Sequence, residues 1–359
     1  MSRVKVGIVG SRFQADCIAS SVRMMPEEAE VVAVASPTPG NAEAFARRHG
    51  VPRHYADYRE MLRDPAVELV SITAPNRLHA RITIEAAQAG KHVVCEKPLA
   101  VDAAEAAELV ELAAAAGVTA TVPFVYRFYP TVREARARVA DGSAGPVRLL
   151  HGSYLQDWLA EDSDDNWRVD AAAGGASRAF ADIGVHWCDL VEFVAGHRIT
   201  RLAARTATVV PERGGRPVAT EDAALVLFET DRGAFGNLTV SQVSQGRKNR
   251  LWFSVDAATE SLCFDQEHPD SLWIGGREVN RQLLRGAGEG PAAARYSVVP
   301  SGHPQGYQDC FDAFVADTYA ALAGERPDGL PTFADGLRAA RITEAVLESS
   351  RTSSWVEVA

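Results

Sequence analysis

Apolar and polar positions follow two different patterns along the chain. The first third contains short, continuous apolar runs separated by helical patterns, which is typical of strands buried on both faces in βαβ units. The apolar runs lie at residues 4–9, 31–35, 67–72, 92–95 and 118–123. The helical patterns between them lie at residues 41–49, 78–89 and 103–116. Together they predict an α/β domain with a doubly wound parallel sheet over residues 1–124.

After about Gly145 the period of the pattern changes to two. Longer stretches alternate apolar and polar residues, as strands with one buried face do. They lie at residues 148–155, 202–210, 223–228, 236–242 and 251–256, and helical patterns lie at residues 178–195, 305–323 and 333–350. Residues 125–359 are therefore expected to form an α+β domain with a large, mostly antiparallel open sheet. We expect the C-terminal helical segment to pack back on the first domain or on the large sheet, and the open sheet face favours a homodimer or homotetramer.

Length and composition agree with two globular domains. The chain has 359 residues, of which 47% are hydrophobic and 23% are charged, enough for a core in each domain. The formal net charge of -10 argues against nucleic acid as a partner, because phosphate binding needs a basic face. No apolar run is long enough to span a membrane, and because the first ten residues have the pattern of a strand, we expect no secretory signal. Five scattered cysteines without CxxC spacing favour reduced thiols, so a soluble, cytoplasmic protein is expected.

The turn after the first predicted strand is a candidate dinucleotide site. Residues 10–15 read Gly-Ser-Arg-Phe-Gln-Ala and lead into a helix, whose N-terminal N–H groups can receive a pyrophosphate. Arg12 replaces the second glycine of the GxGxxG pattern, so an ordinary strand–helix junction is the alternative. Its guanidinium would place a cation near the phosphates. The position in the first βα turn favours a Rossmann site that includes Gly10, Arg12 and Phe13.

The end of the second predicted strand bears on the choice of cofactor. An acidic residue at this place commonly binds the ribose 2′-hydroxyl of NAD, but here the residue is Ser36, followed by Pro37 and Thr38. Neither the usual NAD anchor nor an arginine for a 2′-phosphate follows the strand. Either NADP(H) or NAD(H) is therefore possible, and the missing carboxylate favours NADP(H) slightly.

Two further segments carry candidate chemistry. Lys97 stands directly after the strand predicted at residues 92–95, and in a doubly wound sheet such strand ends face the ligand. Asp182 and His186 are four residues apart, which places both on one face of a helix. The alternatives are a surface lysine, a capping aspartate with an unrelated histidine, and a metal site, for which one acid–histidine pair offers too few ligands. We therefore expect no metal.

The order of these motifs resembles the glucose-fructose oxidoreductase/inositol dehydrogenase/rhizopine-catabolism (Gfo/Idh/MocA) family. The resemblance covers essentially the whole chain, and it rests on Glu96-Lys97-Pro98 after a Rossmann half and on Asp182-x-x-x-His186 in the second half. The segment Ile72-Thr73-Ala74-Pro75-Asn76, with His79, also matches a family loop that lies against the cofactor. The cofactor-binding residues that follow from the turn and from the resemblance are Gly10, Arg12, Phe13, Ser36, Ala74, Pro75, Asn76, His79, Glu96 and Lys97.

The resemblance implies an NAD(P)-dependent oxidoreductase acting on CH–OH groups. Hydride would pass between the nicotinamide and a carbon of a sugar, sugar derivative, polyol or cyclitol. Lys97 would hold the reacting oxygen and help to move its proton, His186 would act as general acid/base, and Asp182 would orient His186 or bind a neighbouring hydroxyl. These roles fit the alkoxide-like oxygen that develops during hydride transfer.

Aromatic and hydrogen-bonding side chains near these motifs are candidate substrate contacts. Sugar sites often combine both types, although large aromatic residues are more commonly buried in a core or an interface. The candidates are Tyr126, Arg127, Trp158, Trp167, Arg168 and His303. The glycine-rich stretch before Asp182 ends in Arg178, a bulky departure from the family pattern that we expect near the approach to the substrate.

Two other functions remain open. Some relatives oxidise a carbon only transiently and then eliminate a group or cleave a glycoside, with bound NAD(H) and no net redox change. A non-catalytic nucleotide-binding sensor is the other alternative. The presence of Lys97, Asp182 and His186 together argues against the sensor, because nucleotide binding alone does not require them.

Overall fold

The computed structural model describes residues 3–359, which divide into two compact units. The first unit extends to Val125 and also contains Gln308–Arg338. The second unit contains Tyr126–Tyr307 and Ala339–Ala359. The last two helices thus contribute to both units. In the described part of the chain, no helix is long and apolar enough to cross a membrane.

The first unit is built on a parallel sheet of six strands. The strands are β1 (Val4–Val9), β2 (Ala29–Ala35), β3 (Arg53–Tyr55), β4 (Leu69–Ile72), β5 (His92–Cys95) and β6 (Ala120–Thr121). Their order is β3-β2-β1-β4-β5-β6. The helices are α1 (Phe13–Met24), α2 (Asn41–His49), α3 (Tyr58–Leu62), α4 (His79–Gln88) and α5 (Ala103–Ala116). The order reverses between β1 and β4, where doubly wound sheets bind ligands at the carboxyl ends of their strands.

The second unit is built on a sheet of nine strands. It contains β7 (Val147–Leu155), β8 (Ile199–Ala207), β11 (Ala223–Thr230), β12 (Phe235–Ser241), β13 (Arg250–Ala257), β14 (Ser261–Asp265), β15 (Ser271–Gly275), β16 (Asn280–Leu284) and β17 (Val356–Glu357), and a separate hairpin pairs β9 (Glu212–Arg213) with β10 (Arg216–Pro217). The order of the large sheet is β16-β15-β14-β13-β7-β12-β11-β8-β17. Only the central pair, β7 with β12, is parallel among the described strands of this sheet.

The helices of the second unit are α6 (Pro130–Ala140), α7 (Ala171–Gly174), α8 (Val185–Ala195) and α9 (Pro291–Ala294), and a π-helical turn, Phe180–Gly184, leads directly into α8. Helices α6 and α8 pack on the large sheet. Helix α8 packs on β7 and β13. Its Trp187 indole donates a hydrogen bond of 2.8 Å to the carbonyl of Trp252. A Cβ on Gly152 of β7 would lie 2.6 Å from the Trp187 Nε1 atom, so only glycine allows the helix this close.

The C-terminal helices are α10 (Tyr307–Leu322) and α11 (Phe333–Thr352). Helix α10 packs in the first unit, and the end of α11 packs in the second. In the first unit, the Ser21 hydroxyl of α1 donates to Asp312 of α10 at 2.6 Å. In the second unit, the hydroxyl of Ser349 accepts a hydrogen bond from the Ala204 N–H at 2.8 Å. The end of α11 therefore provides a hydrogen-bond acceptor for a backbone N–H of β8.

The structure confirms the predicted fold class in both units. Strands β1 and β5 have the predicted bounds, whereas the run at residues 118–123 yields only the two-residue strand β6. Strand β8 begins three residues before the predicted position, at Ile199. The strands β3, β14, β15, β16 and β17 are additional. They are short, between two and five residues, so an alternating pattern has too few positions to identify them.

Candidate active site

The turn between β1 and α1 has the geometry of a phosphate-binding turn. Gly10 has a φ of +116°, and a Cβ there would lie 2.2 Å from the Thr73 hydroxyl, so glycine alone fits where β1 and β4 end side by side. Arg12, the N-cap residue of α1, has an extended conformation, and its own side chain makes no capping hydrogen bond. Arg12 and Phe13 are exposed. A helix N-terminus with a cation beside it fits the pyrophosphate of a dinucleotide.

Hydroxyl groups stand at the carboxyl end of β2. Ser36 is buried, and its Oγ lies 3.4 Å from the Oγ of Ser11. Pro37 and Thr38, which follow, are exposed. Two hydroxyls thus replace the carboxylate that would face a ribose at this position.

His79 joins the segments that follow β4 and β5. Its Nδ1 atom lies 2.8 Å from the carbonyl oxygen of Pro98, and its Nε2 atom lies 2.8 Å from that of Ala74. The ring is buried, so His79 positions both segments. Lys97, half-buried, is in the second of them, and Lys97–Pro98 is a cis peptide.

A buried carboxylate fixes the start of the helical segment that carries the acid–histidine pair. The Glu221 carboxylate accepts hydrogen bonds from the Ser177 hydroxyl at 2.7 Å and from the backbone N–H of Phe180 at 2.9 Å. A carboxylate at this end stabilises the helix through its uncompensated N–H groups. It thereby sets the rotation of the turn that holds Asp182 and, one turn later, His186.

Asp182 and His186 have well-defined neighbours in the second unit. Asp182 Oδ2 accepts a hydrogen bond of 2.8 Å from Gln242 Nε2, and its Oδ1 lies 3.6 Å from Arg168 Nε. His186 is buried, and the ring of Tyr126 meets its imidazole edge-on at 4.9 Å between centroids. The structure thus brings the predicted Tyr126 and Arg168 to the predicted pair.

A chain of polar side chains extends from Tyr126 along the sheet. The Tyr126 and Tyr154 hydroxyls are 2.6 Å apart, and Tyr154 donates to Asn249 Oδ1 at 2.8 Å. Gln156 Nε2 donates to the same oxygen at 2.7 Å, and the Trp158 indole donates to Gln156 at 2.7 Å. Burial raises the pKa of the Tyr154 hydroxyl well above its ordinary range, and Tyr126 adds to this effect. Tyr154 therefore stays protonated and can donate at neutral pH.

The other predicted substrate contacts have different surroundings. The guanidinium of Arg168 stacks over the Trp167 ring at 4.5 Å, so this pair flanks Asp182. Arg127 is buried and forms an ion pair with Asp189, its Nε 2.8 Å from the carboxylate. His303 is exposed in a loop. The described contacts therefore connect Tyr126, Trp158, Trp167 and Arg168 with the surroundings of Asp182 and His186, whereas a substrate contact by Arg127 or His303 stays a prediction.

The expectation for Arg178 is wrong. Its side chain is fully buried and pairs with Asp222 rather than lying at the approach to the substrate. Asp222 also accepts from Arg213 at 3.0 Å. Burial alone would raise the pKa of Asp222, but hydrogen bonds from the Val210 N–H and from Arg178 outweigh it and lower the pKa. The ionised carboxylate of Asp222 is therefore the counter-ion that keeps the Arg178 guanidinium in the interior of the unit.

Three polar residues of this site escaped the sequence analysis. Gln156 follows β7, Gln242 follows β12, and Asn249 precedes β13. They could have been predicted as long polar side chains next to the ends of strands in which apolar and polar residues alternate. Among residues 3–359, no group of three or more histidine, cysteine, aspartate or glutamate side chains is placed to hold a metal ion.

Two protein-family models match most of the chain. The model of an oxidoreductase family with an NAD-binding Rossmann fold matches residues 4–124. The model of the GFO/IDH/MocA C-terminal domain matches residues 132–261. The two matches thus correspond to the N-terminal and C-terminal domains of one family.

Similar proteins extend this likeness over the whole chain. Levoglucosan dehydrogenase of Pseudarthrobacter phenanthrenivorans is 30% identical over 392 residues, covering 100% of this chain and 99% of that protein. A structure of levoglucosan dehydrogenase in complex with NADH and levoglucosan has a TM-score of 0.93 at 28% identity and 99% coverage of both chains. An inositol dehydrogenase homologue from Azotobacter vinelandii, in complex with NAD+, has a TM-score of 0.91 at 29% identity, covering 99% of this chain and 97% of that one.

Proposed function

Because the chain belongs to the Gfo/Idh/MocA family of NAD-binding oxidoreductases, we propose that it is an NAD(P)-dependent dehydrogenase of a sugar, sugar derivative, polyol or cyclitol. The observation that carries this proposal is the arrangement around His186. A buried imidazole, an edge-on tyrosine and an aspartate held by an amide form a site for proton transfer at a hydroxyl.

We assign cofactor binding to residues 1–124, and substrate binding and oligomerisation to residues 125–359. The residues that would hold the dinucleotide are Gly10, Arg12, Phe13, Ser36, Ala74, Pro75, Asn76, His79, Glu96 and Lys97. The turn from β1 into the start of α1 would receive the phosphates, and the segments joined by His79 would line the cofactor. When bound, the nicotinamide supplies the hydride acceptor or donor.

The end of β2 supports acceptance of NADP at least as readily as NAD. The 2′-phosphate of NADP would meet the hydroxyls of Ser11 and Ser36 where a carboxylate would repel it, and Arg12 is exposed beside the turn. The similar structures contain NADH and NAD+, so the proposal is of tolerance towards both forms, with a slight preference for NADP.

The residues of this chain would divide the proton chemistry as follows. The Lys97 ammonium would hold the substrate oxygen and stabilise negative charge on it as the C–H bond breaks. His186 would take the hydroxyl proton during oxidation and return it during reduction. Asp182 would orient His186 or bind a neighbouring hydroxyl.

The polar and aromatic groups near Asp182 suit a polyhydroxylated substrate. The rings of Trp158 and Trp167 offer apolar faces, and Gln156 and Arg168 offer hydrogen bonds. This combination is suited to a sugar, whose C–H faces are apolar and whose edges carry hydroxyls. The similar enzyme named for levoglucosan supports this substrate class.

The test is an absorbance screen at the nicotinamide band. The purified protein is mixed with NAD+ or NADP+ and with each member of a panel containing levoglucosan, inositols, aldoses and glycosides. Substrate-dependent formation of NADH or NADPH is expected. Product formation without net nicotinamide change would instead support a transient-redox enzyme that eliminates or cleaves. Dinucleotide binding with no product from any compound would support a sensor.

We also propose a homodimer or homotetramer formed through the uncovered face of the nine-stranded sheet. Leu225 and Leu227 of β11 are 58% and 56% exposed, and Phe235 of β12 is 62% exposed. Apolar side chains grouped on one sheet face favour association.

A further inference from the structure

We infer that Gln242 is a positioning residue for Asp182, held in a single orientation by the buried Arg178. The inference rests on the proposed dehydrogenase function, in which Asp182 orients His186 or binds substrate. It concerns residues that all lie in the second unit. It also gives a role to Arg178, which has no place at a substrate approach.

The Gln242 side chain is fully buried, and its amide is used at both ends. Its Nε2 atom donates to Asp182 Oδ2 at 2.8 Å and lies 3.4 Å from Gln156 Oε1. Its Oε1 atom accepts from Arg178 at 3.3 Å. A flipped amide would aim an oxygen at a carboxylate and an NH2 group at a guanidinium, so only one of the two orientations is possible.

The partner of the amide oxygen is itself immobilised. Arg178 and Asp222 form an ion pair in which neither side chain is exposed to solvent. Asp222 is shared with Arg213, whose Nη2 atom also donates to the carbonyl of Leu159 at 2.6 Å. A buried charge held by several partners cannot change rotamer without leaving one of them unsatisfied. The orientation of Gln242 is therefore set by the protein before any substrate arrives.

The backbone of Gln242 is fixed as well. Its N–H donates to the carbonyl of Asp222 at 2.9 Å, and its carbonyl accepts from the Leu159 N–H at 3.3 Å. Gln242 stands directly after β12, so the sheet sets its position. Both the main chain and the side chain thus hold the donor at one place beside Asp182.

Other groups of this unit near Asp182 are less suited to fix it. Arg168 lies 3.6 Å away, and its side chain is 30% exposed. Tyr154 is close enough for the Asp182 charge to raise its pKa further, but its hydroxyl is directed to Asn249. His186, one turn along the helix, is the group to be oriented. Gln242 therefore makes the shortest hydrogen bond described for this carboxylate.

The test uses two near-isosteric variants with opposite chemistry. Q242M removes the donor and the acceptor. Q242E keeps an oxygen for Arg178 but sets a second carboxylate against Asp182, and two such carboxylates bind a shared proton more readily than a lone one. The surface variant Gln282→Met is the matched control, because Gln282 bonds only to Ser271 among the described contacts.

Both variants should lower kcat about 10–100-fold at neutral pH, since the carboxylate of Asp182, which is only 14% exposed, loses a hydrogen-bond donor. The kcat of Q242E relative to wild type should rise as the pH is lowered, because the added proton restores a donor to Asp182. The relative kcat of Q242M should stay flat, and the Kd for NADH should change little in either variant. The inference would be overturned if Q242M has the kcat of the wild type. It would also be overturned if the relative kcat is independent of pH in both Q242M and Q242E.

A second readout does not depend on turnover. Crystal structures of the wild type and of both variants should show the Asp182 carboxylate rotated towards Arg168 in Q242M and Q242E. An unmoved carboxylate in both variants would contradict the inference, even if the absorbance screen finds no substrate and the proposed function fails. If Q242M does not fold, as judged by thermal melting, the Q242E profile and structure decide.

Discussion

The ring of Tyr126 meets the imidazole of His186 edge-on, with 4.9 Å between centroids and 84° between planes. The Tyr126 hydroxyl is held in turn by Tyr154 at 2.6 Å. The electron-poor edge of one ring against the face of the other is a favourable arrangement. The imidazole is therefore oriented by packing against Tyr126, while Asp182, one helical turn before it, is held by Gln242.

Replacing His186 by alanine should lower kcat about 10²–10⁴-fold, which is the usual contribution of a general acid/base. The measurement is steady-state kinetics on the substrate found in the screen, in both directions. H54A is the control, because His54 is exposed on β3 and should leave kcat unchanged. Wild-type turnover in H186A would refute the proposed role.

Replacing Lys97 by methionine should abolish measurable turnover and leave NADH binding nearly intact. The ammonium is proposed to act on the reacting oxygen, whereas the phosphates are assigned to the β1–α1 turn. Fluorescence titration with NADH measures binding, and single-turnover kinetics measures the hydride step. K5M is the control, because Lys5 forms a half-exposed pair with Glu30 at the opposite, amino end of the sheet. If K97M turns over normally, the mechanism is wrong.

Replacing Ser36 by aspartate should shift cofactor preference towards NAD. The new carboxylate can accept hydrogen bonds from both ribose hydroxyls, and it would repel the 2′-phosphate of NADP. Titration of wild type and S36D with NADH and NADPH gives four dissociation constants. We expect the NADPH constant to rise in S36D and the wild type to bind NADPH at least as well as NADH. A wild type that strongly prefers NADH would contradict the proposed tolerance.

Replacing Asp222 by asparagine should destabilise the protein by about 3–5 kcal/mol at neutral pH, because two buried arginines lose their counter-ion. The pKa of Asp222 is lowered in the folded protein, so its contribution is complete above the pKa of an unfolded aspartate. It is lost as the pH falls through the lowered folded pKa. Denaturant unfolding should therefore show a difference in the free energy of unfolding between wild type and D222N that becomes smaller as the pH is lowered.

Two outcomes would contradict this expectation for Asp222. One is a difference in the free energy of unfolding between wild type and D222N that stays constant as the pH falls. The other is an equal loss in D162N, in which an exposed aspartate is changed and the free energy of unfolding should move by no more than about 0.5 kcal/mol.

The double variant L225K/L227K should dissociate the proposed oligomer. Both leucines lie on the outer face of β11, and two cations there would face their own copies across a symmetric interface. Light scattering coupled to size-exclusion chromatography measures the mass. M24K is the control, because Met24 is 71% exposed at the end of α1 in the first unit. A monomeric wild type would refute the proposal.

Most of the fold could be predicted from the pattern of apolar residues. Strands β1 and β5 were found with their bounds because they are continuous apolar runs between clear helical patterns. Strand β3 was missed because Arg53-His54-Tyr55 has no apolar run, and its place depends on pairing with β2. Short edge strands are defined by their partners, which local sequence does not reveal.

The candidate site was only partly predictable for the same reason. Asp182 and His186 are four residues apart, so a local rule could pair them. Gln242 bonds to Asp182 across 60 positions of sequence, and no spacing rule links such distant residues. Arg178 was misplaced because its partner Asp222 lies 44 positions away.

The glycine at position 152 also guides attempts to give this enzyme new substrates. The helix that carries His186 rests on β7 through Trp187 and the bare backbone of Gly152. Any side chain there would lift the helix and carry the imidazole with it. Mutant libraries should therefore leave Gly152 and Trp187 unchanged and diversify Gln156 and Trp158, just beyond the strand. The proposed substrate contacts can then change while His186, the proposed proton-transfer residue, keeps its position above the sheet.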